Sequence, residues 1–305
     1  MRMLVVGAGS TGGYFGGRLA KAGRDVTFLV RKGRADELRK NGLNIVSPHG
    51  DFSMTPKLVM ANELDSSFDI VLLTVKAYSL DAALDDVAPA IGPETIIVPV
   101  LNGMRHMNVL AERFGKRAVL GGVCKIMATL DREGGIVHLG NFHELVYGEL
   151  DGSLSPRVRA LDQFMRGAGF DARLSETIGR EMWEKWIMLS SLGAITCLMR
   201  GSIGQIEAAP GGLDFVHRMF DEAVSVARAA GEPPSETFLA ETIATLTARG
   251  SPFVSSMYRD LERGGSIEAD QIVGDLIARG HEAGLSTPLL SAAYTNLSVY
   301  QQQVV

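Results

Sequence analysis

Residues 7–12 read Gly-Ala-Gly-Ser-Thr-Gly, directly after an apolar run and directly before a stretch with helical spacing. A strand, a glycine turn and a helix in this order are typical of a dinucleotide-binding βαβ unit. Gly7 permits the tight turn, Gly9 lets backbone amides approach a pyrophosphate, and Gly12 lets helix and strand pack closely. We therefore assign the whole segment to cofactor binding: Gly7, Ala8, Gly9, Ser10, Thr11 and Gly12.

The end of the second predicted strand, residues 25–30, indicates which dinucleotide binds. An Asp or Glu at this point would hydrogen-bond a free ribose 2′-hydroxyl, as in units that bind NAD. This chain has Arg31 instead, followed by Lys32 and Arg34. A guanidinium pairs with two phosphate oxygens and can stack on adenine, so Arg31 predicts NADP(H) as the cofactor. The alternative is a solvated basic turn at the start of the next helix.

The order of the predicted elements favours two domains in the 305 residues. Residues 1–174 alternate short β-branched runs with helical patterns, which predicts an α/β Rossmann-type domain with a parallel sheet. Residues 175–305 have long apolar helical patterns, which predict an all-α domain for substrate binding or dimerisation. The predicted strands are residues 3–6, 25–30, 70–75, 95–100 and 118–123, and the predicted helices between them are residues 12–22, 34–41, 80–90 and 104–114.

Two segments of the first domain break this alternation. Residues 44–60 contain Pro48, Gly50 and Pro56 among alternating apolar residues, which predicts a hairpin inserted in the wound sheet. Residues 135–148 indicate a second short meander. Neither segment has the period of a helix.

Composition excludes several classes of protein. The 30 basic and 35 acidic side chains are scattered along the sequence and give a net charge of −5. They form no basic cluster that would favour binding to nucleic acid or to an acidic membrane. Cys124 and Cys197 have neither redox nor zinc spacing, and no apolar stretch is long enough to span a bilayer. We expect a cytoplasmic protein with a small-molecule ligand, and the helical half is compatible with a homodimer.

Two further polar residues follow predicted strands of the sheet. Lys76 comes after residues 70–75, and Asn102 comes after residues 95–100. Ligands of such sheets bind at the carboxyl ends of the strands, so a lysine there can face phosphate or carboxylate and an asparagine can both donate and accept. The alternatives are a solvated loop lysine and a plain Asn-Gly turn.

Taken together, the motifs resemble those of the ketopantoate reductases (2-dehydropantoate 2-reductases) of the 6-phosphogluconate-dehydrogenase-like superfamily. The resemblance spans nearly the whole chain and rests on the order and spacing of several short motifs. These are residues 7–12, Arg31, Thr74-Val75-Lys76-Ala77, Leu101-Asn102-Gly103-Met104, Trp183-Glu184-Lys185, Ser255-Ser256-Met257 and Glu268.

The resemblance implies a reductase that uses NADP(H) and a role for each matched polar residue. Lys185 is implied as the general acid, and Glu268 as the residue that supports Lys185 and the nicotinamide ribose. Ser256 is implied to hold the substrate carboxylate, Asn102 to contact substrate and cofactor, and Lys76 to lie beside the cofactor. Reduction of a ketone leaves charge on oxygen, which an ammonium can neutralise. Alternatively, Lys185 forms an ordinary helix pair with Glu181, and Glu268 is a solvated carboxylate.

The chain departs from the family at the substrate positions. The lysine-bearing helix of ketopantoate reductases also presents asparagines one and two turns later, whereas this chain has Leu189 and Gly193. A third position that is polar in the family falls near Ile203, so this chain has an apolar residue there as well. Loss of hydrogen-bonding groups implies a different or less polar substrate. The alternatives to ketopantoate reduction are therefore reduction of another oxo acid or an imine, or an NADPH sensor without catalysis.

The histidines give no metal-binding pattern along the sequence. His49, His106, His138, His143, His217 and His281 never fall four residues apart on a convincing helix. We therefore expect no metal site.

Overall fold

The structure, a computed structural model, describes residues 1–304. The chain divides into two compact units. The first unit comprises residues 1–101 and 106–178, and the second comprises residues 102–105 and the chain from residue 179 onward. The sequence boundary was expected after residue 174, and no periodicity in the sequence assigns residues 102–105 to the second unit.

The first unit contains the predicted parallel sheet. Met3, Leu4 and Val5 on its central strand are fully buried, as a strand covered on both faces requires. Every neighbouring pair of strands is parallel, in the order β5-β2-β1-β6-β7. These strands are β1 (Arg2–Val6), β2 (Asp25–Leu29), β5 (Lys57–Val59), β6 (Phe68–Leu73) and β7 (Ile91–Pro99).

A second sheet in the same unit takes the remaining strands in the order β10-β9-β3-β4, with β8 also paired to β9. The strands are β3 (Leu43–Val46), β4 (Phe52–Met54), β8 (Gly121–Leu130), β9 (Ile136–Gly148) and β10 (Asp171–Leu174). β3 and β4 form an antiparallel hairpin, and β8 and β9 form a long antiparallel ribbon. β3 and β10 run parallel to β9.

This second sheet corrects two predictions. The strand expected at residues 118–123 does not join the wound sheet, because β8 pairs along its length with β9 and only a bridge from Val119 to Ile97 reaches the parallel strands. The hairpin at residues 44–60 is also not inserted in the wound sheet. Only β5, at its end, adds to the parallel strands. Apolar alternation indicates a strand but cannot indicate which sheet it joins.

The helices of the first unit connect the strands. They are α1 (Ser10–Lys21), α2 (Lys32–Asn41), α3 (Leu80–Val87), α4 (Arg105–Phe114) and α5 (Pro156–Met165), with 3₁₀ turns at Ala61–Glu63, Ala77–Ser79, Ala88–Ala90 and Lys116–Ala118. α1 lies between the two sheets. A Cβ on Gly16 would meet the Phe28 ring of β2 at 2.7 Å, and a Cβ on Gly17 would meet Ile45 of β3 at 2.9 Å. The glycines therefore let one helix pack closely against both sheets.

The second unit is helical, as predicted. Its helices are α6 (Ile178–Met199), α7 (Ile203–Glu207), α8 (Gly212–Ala230), α9 (Glu236–Leu246), α10 (Ser256–Glu262), α11 (Asp275–Glu282) and α12 (Pro288–Val304), and a π-helical turn covers Asp270–Gly274. α6 supplies Trp186, Ile187 and Ile195 to an apolar core that also takes Val216 and Met219 from α8. Within residues 1–304, no helix combines the length and apolar character needed to cross a bilayer.

Candidate functional site

The glycine loop lies between the end of β1 and the start of α1. Gly7 has a φ of +97°, a left-handed conformation that glycine adopts without steric cost. Its amide donates to the carbonyl of Leu29 on β2, at 3.1 Å. The loop is therefore fixed to the neighbouring strand, with its backbone turned as a tight strand-to-helix connection requires.

Thr74 supports this loop from the end of β6. Its hydroxyl lies 2.9 Å from the Val6 carbonyl and 3.0 Å from the Gly7 carbonyl. A Cβ on Gly12 would lie 2.1 Å from the Gly7 carbonyl oxygen and 2.2 Å from the Thr74 hydroxyl. Gly12 is therefore needed for the contact between α1 and the loop. Thr74 was named only as part of a motif, and its support of the loop was missed.

The first turn of α1 has the properties of an anion site. Gly9 caps the helix without a side-chain hydrogen bond, and the first turn has no acidic residue. Among the residues that the structure describes, no heavy atom beyond Gly9 and its neighbours Ala8 and Ser10 lies within 4 Å of the position of a Cβ on Gly9. Unpaired amides and the positive end of the helix dipole favour a negative group here. The loop therefore fits the pyrophosphate of a dinucleotide.

The three cations after β2 have different environments. Arg34 donates to the Ala8 carbonyl at 3.0 Å and pairs with Glu37, so it supports the glycine loop. Lys32 pairs with Asp36 at 3.0 Å on the surface. Arg31 is exposed as the N-cap of α2, and within residues 1–304 no hydrogen bond or ion pair holds its guanidinium. Arg31 is the cation of this group that can bind a phosphate without first breaking an ion pair.

Lys76 is exposed after β6. It caps the 3₁₀ turn Ala77–Ser79 in an extended conformation, and its carbonyl accepts from the Ser79 amide at 2.9 Å. Lys76 thus follows the carboxyl end of β6, as the sequence predicts.

Asn102 and Glu268 meet in the second unit. The Asn102 amide donates to the Glu268 carboxylate, with 3.3 Å between Nδ2 and Oε2. Gly103 has a φ of +78°, and a Cβ there would lie 2.3 Å from the Gln271 carbonyl oxygen. The lack of a side chain at Gly103 thus lets the loop approach the backbone after Glu268. Glu268 itself is nearly buried, with 9% of its surface exposed.

The π-helical turn Asp270–Gly274 begins two residues after Glu268. Such turns interrupt the normal hydrogen-bond ladder and are frequent at functional sites. Trp186 of α6 donates from Nε1 to the Ile272 carbonyl at 2.8 Å. Lys185, the residue before Trp186, is half-buried on α6. The Trp186 hydrogen bond therefore ties the helix that carries Lys185 to the turn that follows Glu268.

Ser256 is the first residue of α10 and is exposed. The preceding residue, Ser255, is buried, and its hydroxyl accepts from the Tyr258 amide at 2.9 Å. The same hydroxyl lies 3.0 Å from that of Thr196 on α6. Since Thr196 donates to the Leu192 carbonyl, Ser255 donates to Thr196. Ser255 thus holds the start of α10 against α6, and Ser256 lies beside this contact.

The three substrate positions after Lys185, of which Leu189 and Gly193 lie on α6 and Ile203 begins α7, are apolar in their contacts as well as in their sequence. A Cβ on Gly193 would lie 2.6 Å from the terminal methyl of Met257, so the Met257 side chain covers this position. Leu189 is half-buried against the apolar core, and Ile203 is fully buried in it. No hydrogen-bonding side chain stands at these three positions.

Both cysteines are buried, and within residues 1–304 they form no disulfide. Burial raises the pKa of the Cys197 thiol to about 12. Since the thiolate is the nucleophile, Cys197 is inert at neutral pH.

A parallel wound sheet with this glycine loop defines a Rossmann-type dinucleotide-binding protein. Comparison with known proteins narrows the class. The family model described as ketopantoate reductase PanE/ApbA matches residues 3–152, and the model of its C-terminal domain matches residues 177–301. The chain therefore belongs to the ketopantoate reductase family.

Individual relatives match over nearly their whole length. The chain is 39% identical to the uncharacterized oxidoreductase YkpB of Bacillus subtilis (strain 168), over 99% of this chain and 100% of YkpB. The crystal structure of 2-dehydropantoate 2-reductase from Geobacter metallireducens GS-15 has a TM-score of 0.88 and 26% identity, over 98% of this chain and 99% of that one.

The fold recurs in D-mandelate dehydrogenase, solved as a ternary structure with NADH and anilino(oxo)acetate. The TM-score is 0.87 at 19% identity, with 100% of this chain and 99% of that chain covered. The predicted family, fold class and enzyme class are confirmed: the protein is an NAD(P)H-binding oxidoreductase that acts on CH–OH groups.

Proposed function

We propose that this protein uses NADPH to reduce a small 2-oxo acid to its 2-hydroxy acid. The main support for this proposal is the hydrogen bond between Asn102 and Glu268. It brings together two polar residues that are far apart in sequence and that both have roles implied by the family resemblance. The first candidate substrate is 2-dehydropantoate, which would place the enzyme in pantothenate biosynthesis. The second candidate is the substrate of a paralogous enzyme.

Arg31 supports NADPH over NADH. It stands where units specific for NAD have a carboxylate, and its exposed guanidinium has no competing ion pair within residues 1–304. A 2′-phosphate would gain a two-point, charge-assisted interaction there. Lys76, exposed after β6, is proposed to lie beside the same cofactor.

Bound NADPH would supply a hydride to the substrate carbonyl carbon. Lys185 would give a proton to the carbonyl oxygen as negative charge develops there, so that no free alkoxide forms. Lys185 lies half-buried on α6, the helix that the Trp186 hydrogen bond ties to the turn after Glu268. Glu268 supports Lys185 and the ribose hydroxyls, and Asn102 hydrogen-bonds to Glu268 and contacts substrate and cofactor. Ser256 binds the substrate carboxylate.

The contacts of α6 favour a substrate less polar than 2-dehydropantoate. Met257 covers Gly193, and Leu189 offers only methyl groups. A site without donors or acceptors at these positions gains little from a substrate hydroxyl. An oxo acid with an apolar or aromatic side chain, or the corresponding imine, is the alternative that these residues support. D-mandelate dehydrogenase, of the same fold, was solved with an anilino(oxo)acetate.

NADPH oxidation against a panel of 2-oxo acids tests the proposal. The panel includes 2-dehydropantoate, 2-oxoisovalerate and phenylglyoxylate, which differ in the hydroxyl and in the size of the apolar group. We expect turnover with at least one of them, and kcat/KM values rank the candidates. Tight NADPH binding with no turnover on the whole panel would contradict a reductase and favour the sensor.

A homodimer is proposed from the apolar helices of the second unit. Light scattering after size-exclusion chromatography measures the molar mass directly. A mass equal to that of one chain across the accessible concentrations would contradict it.

A further inference from the structure

Three histidines meet in the first unit, in the second sheet and its β3–β4 turn. His49 lies between β3 and β4, and His138 and His143 lie on β9. One ring nitrogen of each lies within 4.8 Å of those of the other two. The rings of His49 and His143 stack with centroids 3.8 Å apart and an interplanar angle of 19°. Helical spacing could not show this cluster, because a hairpin and a distant strand bring its members together.

Backbone carbonyls fix the orientation of two of the rings. His49 donates from Nε2 to the Asn141 carbonyl at 2.8 Å, and His138 donates from Nε2 to the Phe142 carbonyl at 3.0 Å. A carbonyl oxygen can only accept, so the ring hydrogen sits on Nε2 and Nδ1 has the lone pair. Metal-binding histidines commonly donate their other nitrogen to a backbone carbonyl in this way.

The third ring is oriented from α1. Nδ1 of His143 lies 2.7 Å from the hydroxyl of Tyr14, whose side chain is fully buried. When the phenol oxygen accepts from Nδ1, Nε2 of His143 has the lone pair. Ser47 lies 3.4 Å from the Tyr14 hydroxyl and 3.0 Å from Nδ1 of His138.

We propose that His49, His138 and His143 bind one divalent transition-metal ion of the zinc class, with water as the fourth ligand. Three neutral imidazoles suit zinc, cobalt, nickel or copper, whereas magnesium and calcium require oxygen ligands.

Binding requires the exposed His49 ring to turn, because a metal ion lies in the plane of each imidazole that binds it, whereas the rings of His49 and His143 are now stacked in nearly parallel planes. Nitrogens about 2.1 Å from a tetrahedral zinc ion are about 3.4 Å apart, so the cluster must contract from its present spacing. His49 is exposed on a turn and can move, and the ion displaces the Ser47 hydroxyl from His138.

The charge of Arg18 opposes a cation here. Its guanidinium donates to the carbonyls of His49 and Gly50, at 3.1 Å each. The negative charge of Asp171 acts on His143 in the opposite direction. We therefore expect an affinity below that of a zinc site with an anionic ligand.

The ion would join the β3–β4 turn to β9. Through the Tyr14 hydroxyl, it would also orient a buried side chain of α1. A ligand that binds only the folded chain raises the unfolding temperature by mass action. Thermal stability is therefore a readout that does not depend on catalysis.

Untagged protein, freed of metals with a chelator and exchanged into buffer, tests the site. Zn²⁺ is added in an isothermal titration, and Co²⁺ is followed by its visible absorption, which is intense in tetrahedral coordination. We expect one equivalent of each ion, a higher unfolding temperature with Zn²⁺, and no effect of Mg²⁺. Failure of the wild type to take up stoichiometric Zn²⁺ or Co²⁺ would overturn the proposal.

Variants locate the ion. His49→Ala removes an exposed ligand, and His281→Ala removes an exposed histidine of α11 as the matched control. We expect about 100-fold weaker Zn²⁺ binding in His49→Ala, at the upper end of the losses seen when only a ligand's supporting residue is removed. His281→Ala should bind as the wild type does. His143→Gln, with its fold checked by circular dichroism, is the second ligand variant. Equal Zn²⁺ affinity in both ligand variants and the control would place the ion elsewhere and refute the site.

Discussion

The glycine loop of the first unit and the Asn102–Glu268 pair of the second unit are constructed differently. The loop uses residues that are neighbours in sequence. The positions of its backbone amides depend on the absence of a side chain at Gly12, and the open space in front of them depends on the absence of one at Gly9. The pair uses side chains more than 160 residues apart, positioned by a loop and a π-helical turn. A backbone site tolerates few substitutions at its glycines. A side-chain site can change its specificity through single replacements at positions such as 193 and 257, where this chain has Gly193 and Met257.

The largest expected effect is a loss of turnover without a loss of cofactor binding, which would separate the functions of the two regions. Lys185→Ala should lower kcat by about 10²-fold or more while NADPH still binds, because only the general acid is lost. Steady-state kinetics and NADPH fluorescence titration measure the two quantities. Lys116→Ala, at an exposed lysine, is the control and should keep full turnover. Unchanged kcat in Lys185→Ala would remove the proposed role of this lysine.

The next effect tests the backbone origin of the glycine loop. Gly12→Ala should destabilise the protein by about 1–3 kcal/mol, since its Cβ meets backbone and the Thr74 hydroxyl. Gly9→Ala should leave stability unchanged, because the space around its Cβ is open within residues 1–304, but should weaken NADPH binding. Denaturant unfolding and NADPH titration check both variants. Equal stability of the two would show that the close approach at Gly12 has no energetic importance.

A smaller effect concerns the choice of cofactor. Arg31→Ala should reduce the preference for NADPH over NADH by about tenfold or more, the value of a charge-assisted hydrogen bond. Lys32→Ala is the control, since Lys32 already pairs with Asp36. The ratio of kcat/KM for the two nucleotides is the measurement. A wild type that uses both equally well would make Arg31 an ordinary surface residue.

The smallest effect lies outside both regions, at the end of β9. Burial alone raises the pKa of Glu149, but hydrogen bonds from Arg157 and Ser155 outweigh it and hold the pKa below its ordinary value. The ionised form is therefore favoured in the folded state. This stabilisation is present above the ordinary pKa of 4.5 and is lost as the pH falls through the lower pKa of the folded state.

Glu149→Gln should lower the free energy of unfolding by about 1 kcal/mol at pH 7, and by less near pH 3. Urea unfolding at the two pH values provides the comparison. Glu94→Gln is the control, because Glu94 and its partner Arg117 are both exposed. A loss that is the same at both pH values would contradict an electrostatic origin.

The difference between the two regions also explains how far the sequence predicts the structure. The glycine loop, Arg31 and the helical character of the second unit follow from local spacing, which short-range backbone geometry determines. The strand predicted at residues 118–123 belongs to the β8–β9 ribbon and not to the wound sheet, because strand partners are determined by long-range packing that alternation does not encode. For the same reason, the sequence did not show that Thr74 supports Gly7 or that His49 reaches β9.

For the second unit, the family resemblance supplied the candidate residues, and spacing alone would not have joined Asn102 to Glu268. Their roles in catalysis, and that of Lys185, stay predictions until the variants are measured.

The hydrogen bond from Trp186 to the Ile272 carbonyl has a practical consequence. The chain has only two tryptophans, Trp183 and Trp186, and both are buried on α6 beside Lys185. Indole emission depends on the hydrogen bonding and polarity around the ring, so excitation of these two side chains reports on the π-helical turn through Trp186 and on the contacts of Trp183 and Trp186 with Arg279 of α11. The protein thus has an intrinsic optical probe of its second unit, with which local rearrangements after ligand addition can be timed without an attached dye.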